Sequence, residues 1–374
     1  MTSELSVLAT RVREFIADNS PVAAIVDPVT PRTNDTFTTL ALDLFAAQFR
    51  CNAAYRKFCE ARRATPATVS AWSEIPALPT TAFKEFEVTA LSPAERTHVF
   101  HSSGTTEQRP SRHFHNAESL AVYEASLWSW SCANVPVVRQ QPGLAILTPP
   151  PAQAPNSSLV HMFETIRLQL KASRQVFLGA IADGAWAIDS RATIAALEAA
   201  QSAARPVLIM GTAFSFVHLV DALEARGMRF ELPTGSVVME TGGYKGRSRV
   251  LPKAELHALI SSFLGVSANQ IVCEYGMSEM SSQAYDGATG DFSGATRSRI
   301  FRLPPWARAQ VISAETGREV SEGETGLLRL LDLANVFSVQ AIQTEDLAIR
   351  RGTGFELLGR ATAAEARGCS LMAV

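Results

Sequence analysis

The chain has 374 residues, and with 47% hydrophobic and 19% charged residues its composition is typical of a globular protein, not a disordered one. Its formal net charge of −2 argues against broad electrostatic binding to nucleic acid or to an anionic membrane. The first residues lack the features of a signal peptide, and no apolar run approaches the ~18 residues of a membrane span. We therefore expect a cytoplasmic protein of roughly two to three domains.

The first part of the chain, residues 1–100, is predicted to be mainly helical. Apolar side chains recur there at helical spacing, at Leu5, Leu8, Val12 and Phe15 and again over 40–49. Prolines at 76 and 79 then interrupt the pattern.

Over residues 101–296, short apolar runs alternate with amphipathic helices. The runs cover 144–147, 175–178, 207–210, 236–239 and 271–273. The clearest helix begins at Pro252 and stops at Gly265. This alternation predicts an α/β core with largely parallel strands. From residue 297 to the end, strand-like runs separated by turns at 315–317 and 322–324 predict a small β-rich region.

The cysteines predict neither a zinc ribbon nor a thioredoxin-like site, because they are scattered and no C-x-x-C pair occurs. Four of them are expected to pack in the interior, and the fifth lies near the C terminus. In chain order they are Cys51, Cys59, Cys132, Cys273 and Cys369.

The most informative stretch runs from residue 101 to 111 and combines several hydroxyl side chains with one glycine. Its central residues are Ser102, Ser103, Gly104, Thr105 and Thr106. Short donors on a bendable backbone suit the oxygens of a nucleotide phosphate chain. The same residues could instead form a Ser/Thr-rich turn that caps a helix.

This stretch resembles the phosphate loop of the adenylate-forming superfamily, which includes acyl-CoA synthetases, adenylation domains and luciferases. Together with residues 75–84 and 111–113, it is similar to the LuxE-type acyl-protein synthetases, a branch related to phenylacetate–CoA ligases. The resemblance implies the layered α/β fold of the large N-terminal domain of these enzymes. One departure is Glu107, which stands at a glycine position; a carboxylate there repels a triphosphate unless it faces away or approaches the metal.

Two further segments resemble nucleotide motifs of that family. In residues 240–245 the resemblance implies an adenine contact, and in 274–279 it implies adenine packing, an α-phosphate contact and a Mg²⁺ ligand. The residues concerned are Gly242, Gly243 and Tyr244 in the first segment, and Tyr275, Gly276, Ser278 (for the usual Thr) and Glu279 (the metal ligand) in the second. Taken alone, the first segment could be a tight strand-to-helix turn and the second a Tyr-Gly turn with a surface glutamate.

A third match lies near the end of the chain. Thr344, Glu345 and Asp346 resemble the family's Thr-Gly-Asp, with Glu345 in place of the glycine, and Gly359-Arg360 resembles its Gly-Arg. The resemblance implies that Asp346 accepts the ribose hydroxyls of ATP and that Arg360 belongs to the same site.

Adenylate-forming enzymes normally continue after this Gly-Arg into a small mobile domain with a catalytic lysine. Because the chain ends soon after Arg360, we expect it to lack that domain, as LuxE-type proteins do. Those proteins carry a nucleophilic cysteine near the C terminus, which makes Cys369 the candidate nucleophile, with Arg367 favouring its thiolate; an inert tail cysteine is the alternative. Lys84 and Lys245 are candidates for the missing positive charge at the α-phosphate, and either could equally be a surface lysine.

The resemblance thus implies an enzyme that uses ATP and Mg²⁺ to activate a carboxylic acid, a fatty acid by analogy, as an acyl-adenylate. The acyl group would pass to Cys369 and then to a partner protein such as a reductase subunit. Two alternatives stay open: an acyl- or aryl-CoA ligase or carrier-protein loader in which Cys369 is idle, and a non-catalytic nucleotide-binding subunit that scaffolds a partner. The main interpretation expects Thr105, Glu279 and Asp346 to meet around one ligand.

Overall fold

The computed structural model describes residues 2–21, 36–102, 109–172, 176–242, 249, 251–286 and 299–361. The helices are α1 (Thr2–Asp18), α2 (Phe37–Cys51), α3 (Ala53–Ala61), α4 (Ala82–Glu85), α5 (Ala117–Asn134), α6 (Ser158–Gln169), α7 (Ser190–Ser202), α8 (Ala213–Glu224) and α9 (Lys253–Leu264). The strands are β1 (Leu78–Pro79), β2 (His98–His101), β3 (Arg112–His115), β4 (Gly143–Ile146), β5 (Gly179–Ala182), β6 (Ala185–Ile188), β7 (Val207–Thr212), β8 (Val237–Thr241), β9 (Ile271–Tyr275), β10 (Ala284–Tyr285), β11 (Ala307–Ile312), β12 (Thr325–Asp332), β13 (Ala341–Arg351) and β14 (Gly354–Arg360).

The chain divides into two compact units, which are described separately. Unit 1 comprises residues 1–130, 277–284 and 297–374, and unit 2 comprises residues 131–276 and 285–296. Helices α1 to α3 and strands β11 to β14 therefore belong to the same unit. Within the described part of the chain, none of the helices has the length and apolar character needed to cross a bilayer.

Unit 2 is built on a parallel sheet in which β4, β7, β8 and β9 lie side by side in that order. Every residue of β7, β8 and β9 is buried, as expected for a parallel sheet covered on both faces, so the predicted α/β architecture is confirmed. Of the predicted run 175–178, residue 175 lies outside the described residues, and Phe177 forms a single parallel bridge to Ile146.

The helix predicted from Pro252 to Leu264 is present as α9. Gly265 ends it in the left-handed conformation, with φ of +66°, and an added Cβ there would come within 2.8 Å of Glu231 Cα. Glycine is therefore required at this position by both backbone geometry and space. The buried face of α9 packs into the apolar core of the unit through Leu256, Ile260 and Phe263.

Unit 1 combines α1 to α3 with a second sheet, in which β1, β13, β12 and β11 follow in order and β14 pairs with β13. The pairing is antiparallel except for β1, which joins β13 in parallel through residue pairs 78–342 and 79–343. Helix α2 is fixed to the loop after β12 by Gln48, whose Nε2 donates to Asn335 O (2.7 Å) and whose Oε1 accepts from Gln340 N (3.1 Å).

Candidate functional site

The segment that carries Ser278 and Glu279 lies in the interior of unit 1. Both residues are buried, with 6% and 5% of their surface exposed, and the Ser278 hydroxyl donates to Glu279 Oε2 at 3.0 Å. The backbone is held from two sides, since Asn335 Nδ2 donates to Glu279 O at 2.9 Å and His113 Nδ1 lies 2.9 Å from Ser278 O. The sequence alternative of a surface glutamate is therefore wrong for Glu279.

His113 acts on this segment as a neutral donor. Because a carbonyl oxygen only accepts, Nδ1 must carry the proton in the bond to Ser278 O. Burial lowers the pKa of the ring to about 4, although the Ser278 bond acts in the opposite direction. The ring is also enclosed by aromatic neighbours, with Phe83 edge-on at 6.1 Å and His115 at 4.2 Å between centroids. The imidazole is thus uncharged and fixed at neutral pH.

Asp332, at the end of β12, anchors the residues that follow Glu279. Its Oδ2 accepts from the backbone amides of Ser281 (3.0 Å) and Ser282 (2.7 Å), and its Oδ1 accepts from the Ser282 hydroxyl (2.7 Å) and from Ala334 N (3.0 Å). Burial raises the pKa of this carboxyl, and the hydrogen bonds from Ser282 and the backbone oppose the shift. A fully buried acceptor with this many donors fixes the chain path on the C-terminal side of Glu279.

The base of the predicted phosphate loop is closed by a pair of serines. Ser102 Oγ accepts from Ser111 N at 2.9 Å, and Ser102 N donates to Ser111 O at 3.2 Å. The Ser111 hydroxyl is buried and, within the described residues, has no hydrogen-bond partner. A buried hydroxyl with spare hydrogen-bonding capacity beside this loop suits an anionic ligand. The loop residues Ser103, Gly104, Thr105, Thr106 and Glu107 lie outside the described residues.

Asp346 and Arg360 are brought together by the β13–β14 ladder, in which they are directly opposite each other. Arg360 Nε lies 3.6 Å from Asp346 Oδ1, and the Asp346 side chain is 14% exposed whereas that of Arg360 is 79% exposed. Asp346 N donates to Thr344 Oγ1 at 3.1 Å, which fixes the backbone at the predicted Thr-Glu-Asp motif. The carboxylate of Asp346 is thus mostly shielded from solvent, and the exposed Arg360 lies opposite it on the neighbouring strand.

Lys84 lies on the short helix α4, half-buried, directly after the buried Phe83. The helix is attached to β13 through β1 and through the bond from Thr80 N to Gln343 O at 3.1 Å. Lys84 therefore lies on a helix that is attached to β13, the strand that carries Asp346.

In unit 2, the predicted adenine segments follow β8 and β9 at the carboxyl edge of the parallel sheet, where ligands bind in open α/β sheets. Gly242 has φ of +69°, and an added Cβ would meet none of the described residues within 4 Å. Tyr275 is buried at the end of β9 and precedes Gly276. Thr241 donates to Glu274 across the two strand ends, and burial raises the pKa of Glu274 to about 7, with the nearby Glu240 adding to the shift.

The remaining predicted site residues are Gly243, Tyr244, Lys245 and Cys369, and they lie outside the described residues. The convergence expected for Thr105, Glu279 and Asp346 stays a prediction for the same reason. Sequence reasoning missed His113, Asp332 and Asn335 as supports of Glu279. Only His113 had a signal, since it was part of the 111–113 stretch that carried the family resemblance.

The chain was compared with known proteins. The model of the family described as "Acyl-protein synthetase, LuxE" matches residues 4–373. A relative from Vibrio harveyi, named long-chain-fatty-acid–luciferin-component ligase, is 22% identical over 98% of this chain and 96% of its own length.

Two solved structures show the fold of adenylate-forming enzymes. A 2-hydroxyisobutyryl-CoA ligase in complex with 2-HIB-AMP and CoA has a TM-score of 0.63 at 15% identity, covering 92% of this chain and 70% of that one. ATP-bound MatB from Rhodopseudomonas palustris has a TM-score of 0.50 at 16% identity, covering 96% of this chain and 73% of that one. The fold class and the family resemblance inferred from sequence are both confirmed. With the family model matching almost every residue, the chain belongs to the LuxE acyl-protein synthetase family of ligases.

Proposed function

We propose that this protein activates a carboxylic acid with ATP as an acyl-adenylate. The observation that carries the proposal is the buried carboxylate of Glu279, which is fixed through its backbone by Asn335 and His113. Among the described residues Glu279 has no ion-pair partner. Burying a carboxylate without one is costly, and this favours a role for the charge itself. The name of the Vibrio harveyi relative supports a long-chain fatty acid as the substrate class.

The reaction transfers an adenylyl group. A carboxylate oxygen of the acid attacks the α-phosphorus of ATP, a new P–O bond forms, and the bond to the β-phosphate breaks to release pyrophosphate. The protein contributes mainly by positioning the reactants and neutralising charge. A Mg²⁺ ion held by Glu279 would neutralise charge on the phosphates, and a single carboxylate beside phosphate oxygens fits the preference of this ion.

The other residues would hold the nucleotide. Ser278 and the hydroxyl-rich loop from Ser102 to Thr106 would donate to phosphate oxygens, and Asp346, with Arg360 beside it, would accept the ribose hydroxyls. Adenine would lie against the segment containing Gly242, Gly243 and Tyr244 and against Tyr275 and Gly276. The buried hydroxyl of Ser111 at the base of the hydroxyl-rich loop supports the placement of the phosphates.

Positive charge at the α-phosphate would come from Lys84 or Lys245. Of the two, Lys84 has support from its position, because α4 is attached to the strand that carries Asp346. Alanine at the responsible position should slow adenylation, while alanine at the other should leave it unchanged.

In a second step, the Cys369 thiolate would attack the acyl carbonyl, form a thioester and release AMP, and the acyl group would then move to an acceptor protein. The family resemblance supports a protein acceptor such as a reductase subunit, and the name of the relative cites a luciferin component. CoA or a carrier protein is the alternative acceptor, since solved relatives of the fold bind CoA. We place the reaction in the cytoplasm.

The test is carboxylate-dependent exchange of pyrophosphate into ATP across a panel of fatty and aromatic acids. Glu279→Gln should reduce exchange about 100-fold, a loss on the scale expected when a group that stabilises transition-state charge is removed. Glu315→Gln, on an exposed turn, is the matched control and should retain full exchange. Silence of the wild-type chain across the whole panel would contradict the proposal and favour a scaffold subunit.

The transfer step is tested separately. Wild-type protein incubated with ATP and a radiolabelled acid should acquire a label that hydroxylamine removes, whereas Cys369→Ser should remain unlabelled while keeping normal exchange. An equal label on both proteins would exclude Cys369 as the acyl carrier.

A further inference from the structure

Unit 2 contains a buried cluster of three potential metal ligands that the proposed reaction does not use. Glu240 lies on β8, Cys273 on β9 and His257 on α9. All three are buried, with exposed fractions of 4% for Glu240, 2% for Cys273 and 5% for His257. Glu240 and Cys273 are register partners in the parallel sheet, so their side chains lie next to each other on one face. One ligand atom from each of the three lies within 4.8 Å of the others.

Two of the three distances within this cluster match those of a tetrahedral site. Bonds of about 2.3 Å to sulfur and about 2.0–2.1 Å to nitrogen and oxygen, at tetrahedral angles, place ligand atoms about 3.3–3.6 Å apart. Cys273 Sγ lies 3.5 Å from His257 Nε2, and His257 Nε2 lies 3.4 Å from Glu240 Oε2. The third separation, from Cys273 Sγ to Glu240 Oε2, is shorter at 2.8 Å and corresponds to a thiol that donates a hydrogen bond to the carboxylate.

The charges around the cluster favour a divalent cation. Asp286 lies beside it, with Oδ1 accepting from Cys273 N at 2.7 Å, and Lys253 Nζ is 3.9 Å from Asp286 Oδ2. With both carboxylates ionised and Lys253 protonated, the cluster has one net negative charge. A divalent ion bound to the thiolate of Cys273 brings the sum over these groups to zero and offsets the buried carboxylates, while 43% of the Lys253 side chain is exposed to solvent.

We propose that Glu240, His257 and Cys273 bind a zinc ion. A thiolate, an imidazole and a carboxylate form the mixed sulfur, nitrogen and oxygen set that suits zinc, whereas Mg²⁺ and Ca²⁺ prefer oxygen ligands alone. On binding, the bond from Cys273 sulfur to its proton breaks, the proton is released to solvent, and the sulfur bonds to the metal. A water molecule completes the tetrahedron.

The ion is structural and distinct from the nucleotide metal. It joins β8, β9 and α9 immediately before Gly242 and Tyr275, which follow Glu240 and Cys273 by two residues each. Both strand ends therefore have one common anchor in unit 2. The ligands are buried, so the ion is not available to substrates.

The first experiment measures the zinc content of the full chain. The protein is purified without a metal-binding tag or chelator, reduced, equilibrated with zinc and then separated from free zinc by gel filtration. Wild type should retain about one zinc per chain by mass spectrometry of the metal. Cys273→Ala and His257→Gln should retain almost none. Cys132→Ala, which removes a different buried cysteine, and Cys369→Ser should retain the wild-type amount.

The second experiment needs only wild-type protein and so does not depend on whether variants fold. Cobalt added to metal-free wild type should produce a sulfur-to-cobalt charge-transfer band with tetrahedral visible absorption, and zinc should abolish both and raise the melting temperature. The proposal would be overturned if folded, reduced wild-type protein bound no more zinc than Cys273→Ala and gave no cobalt band. The cluster would then be a buried hydrogen-bond network only.

Discussion

Replacement of His113 by asparagine should make the protein less sensitive to acid. The ring is buried, and its Nδ1 donates to Ser278 O at 2.9 Å. The side-chain amide of asparagine can place a donor close to the position of Nδ1, so His113→Asn keeps the hydrogen bond and removes the titration. The variant therefore separates the two roles of this residue, which are to hold the Ser278–Glu279 segment and to resist protonation.

The magnitude follows from the pKa of His113, which burial lowers from 6.5 to about 4. As the pH falls through this interval, the unfolded chain binds a proton at this residue and the folded chain does not, so stability is present above the interval and is lost within it. One pKa unit corresponds to about 1.4 kcal/mol. Titration of this residue should therefore lower the free energy of unfolding of the wild type by about 2 kcal/mol between roughly pH 7.5 and pH 5.

The assay is urea unfolding followed by circular dichroism at both pH values. His113→Asn should lose about 2 kcal/mol less than wild type between them, whereas His98→Asn, on the exposed start of β2, should behave as wild type. If His113→Asn and wild type lose the same free energy of unfolding, the neutral buried imidazole is refuted as a source of acid sensitivity.

Three other predictions concern the packing of unit 1. Asp332→Ala leaves several buried donors without an acceptor and should lower the free energy of unfolding by more than about 3 kcal/mol in urea titrations. Gln48→Leu removes the donor to Asn335 O and the acceptor of Gln340 N, and it should destabilise the protein by about 2–4 kcal/mol. It should also reduce pyrophosphate exchange, because Asn335 holds Glu279; unchanged exchange in the folded variant would contradict this link. Gly326→Ala places a Cβ about 2.5 Å from a carbonyl oxygen of β11 and should cost about 1–3 kcal/mol by thermal melting, whereas Gly143→Ala, with no contact closer than 3.7 Å, should not.

The architecture of unit 2 was predictable because its signals are local. The strands β7, β8 and β9 each begin with a run of three or four apolar residues, and α9 carries both a proline at its start and a glycine in the left-handed conformation at its end. Each of these signals can be recognised within a short window of sequence, without knowledge of any partner segment.

The supports of the candidate sites were not predictable because they depend on pairings between distant segments. Glu240 and Cys273 become neighbours only through the register of β8 and β9, and His257 lies within an otherwise apolar helix face. In the same way, nothing in the stretch around Asp332 indicates that it accepts from residues 281 and 282. Register and long-range pairing are set by the whole core, and no local pattern specifies them.

The two acidic residues of the candidate site in unit 1, Asp346 and Glu279, depend on the rest of the chain to different extents. Asp346 and Arg360 face each other across adjacent strands of one hairpin, so their pairing needs only the β13–β14 ladder. Glu279 instead depends on two distant segments, which contribute His113 and Asn335, and Asn335 depends in turn on Gln48 of α2. Removing the first 130 residues would therefore leave both strands of the Asp346 pairing in the chain, but it would take away His113, one of the two supports of Glu279, and Gln48, which holds the other support, Asn335.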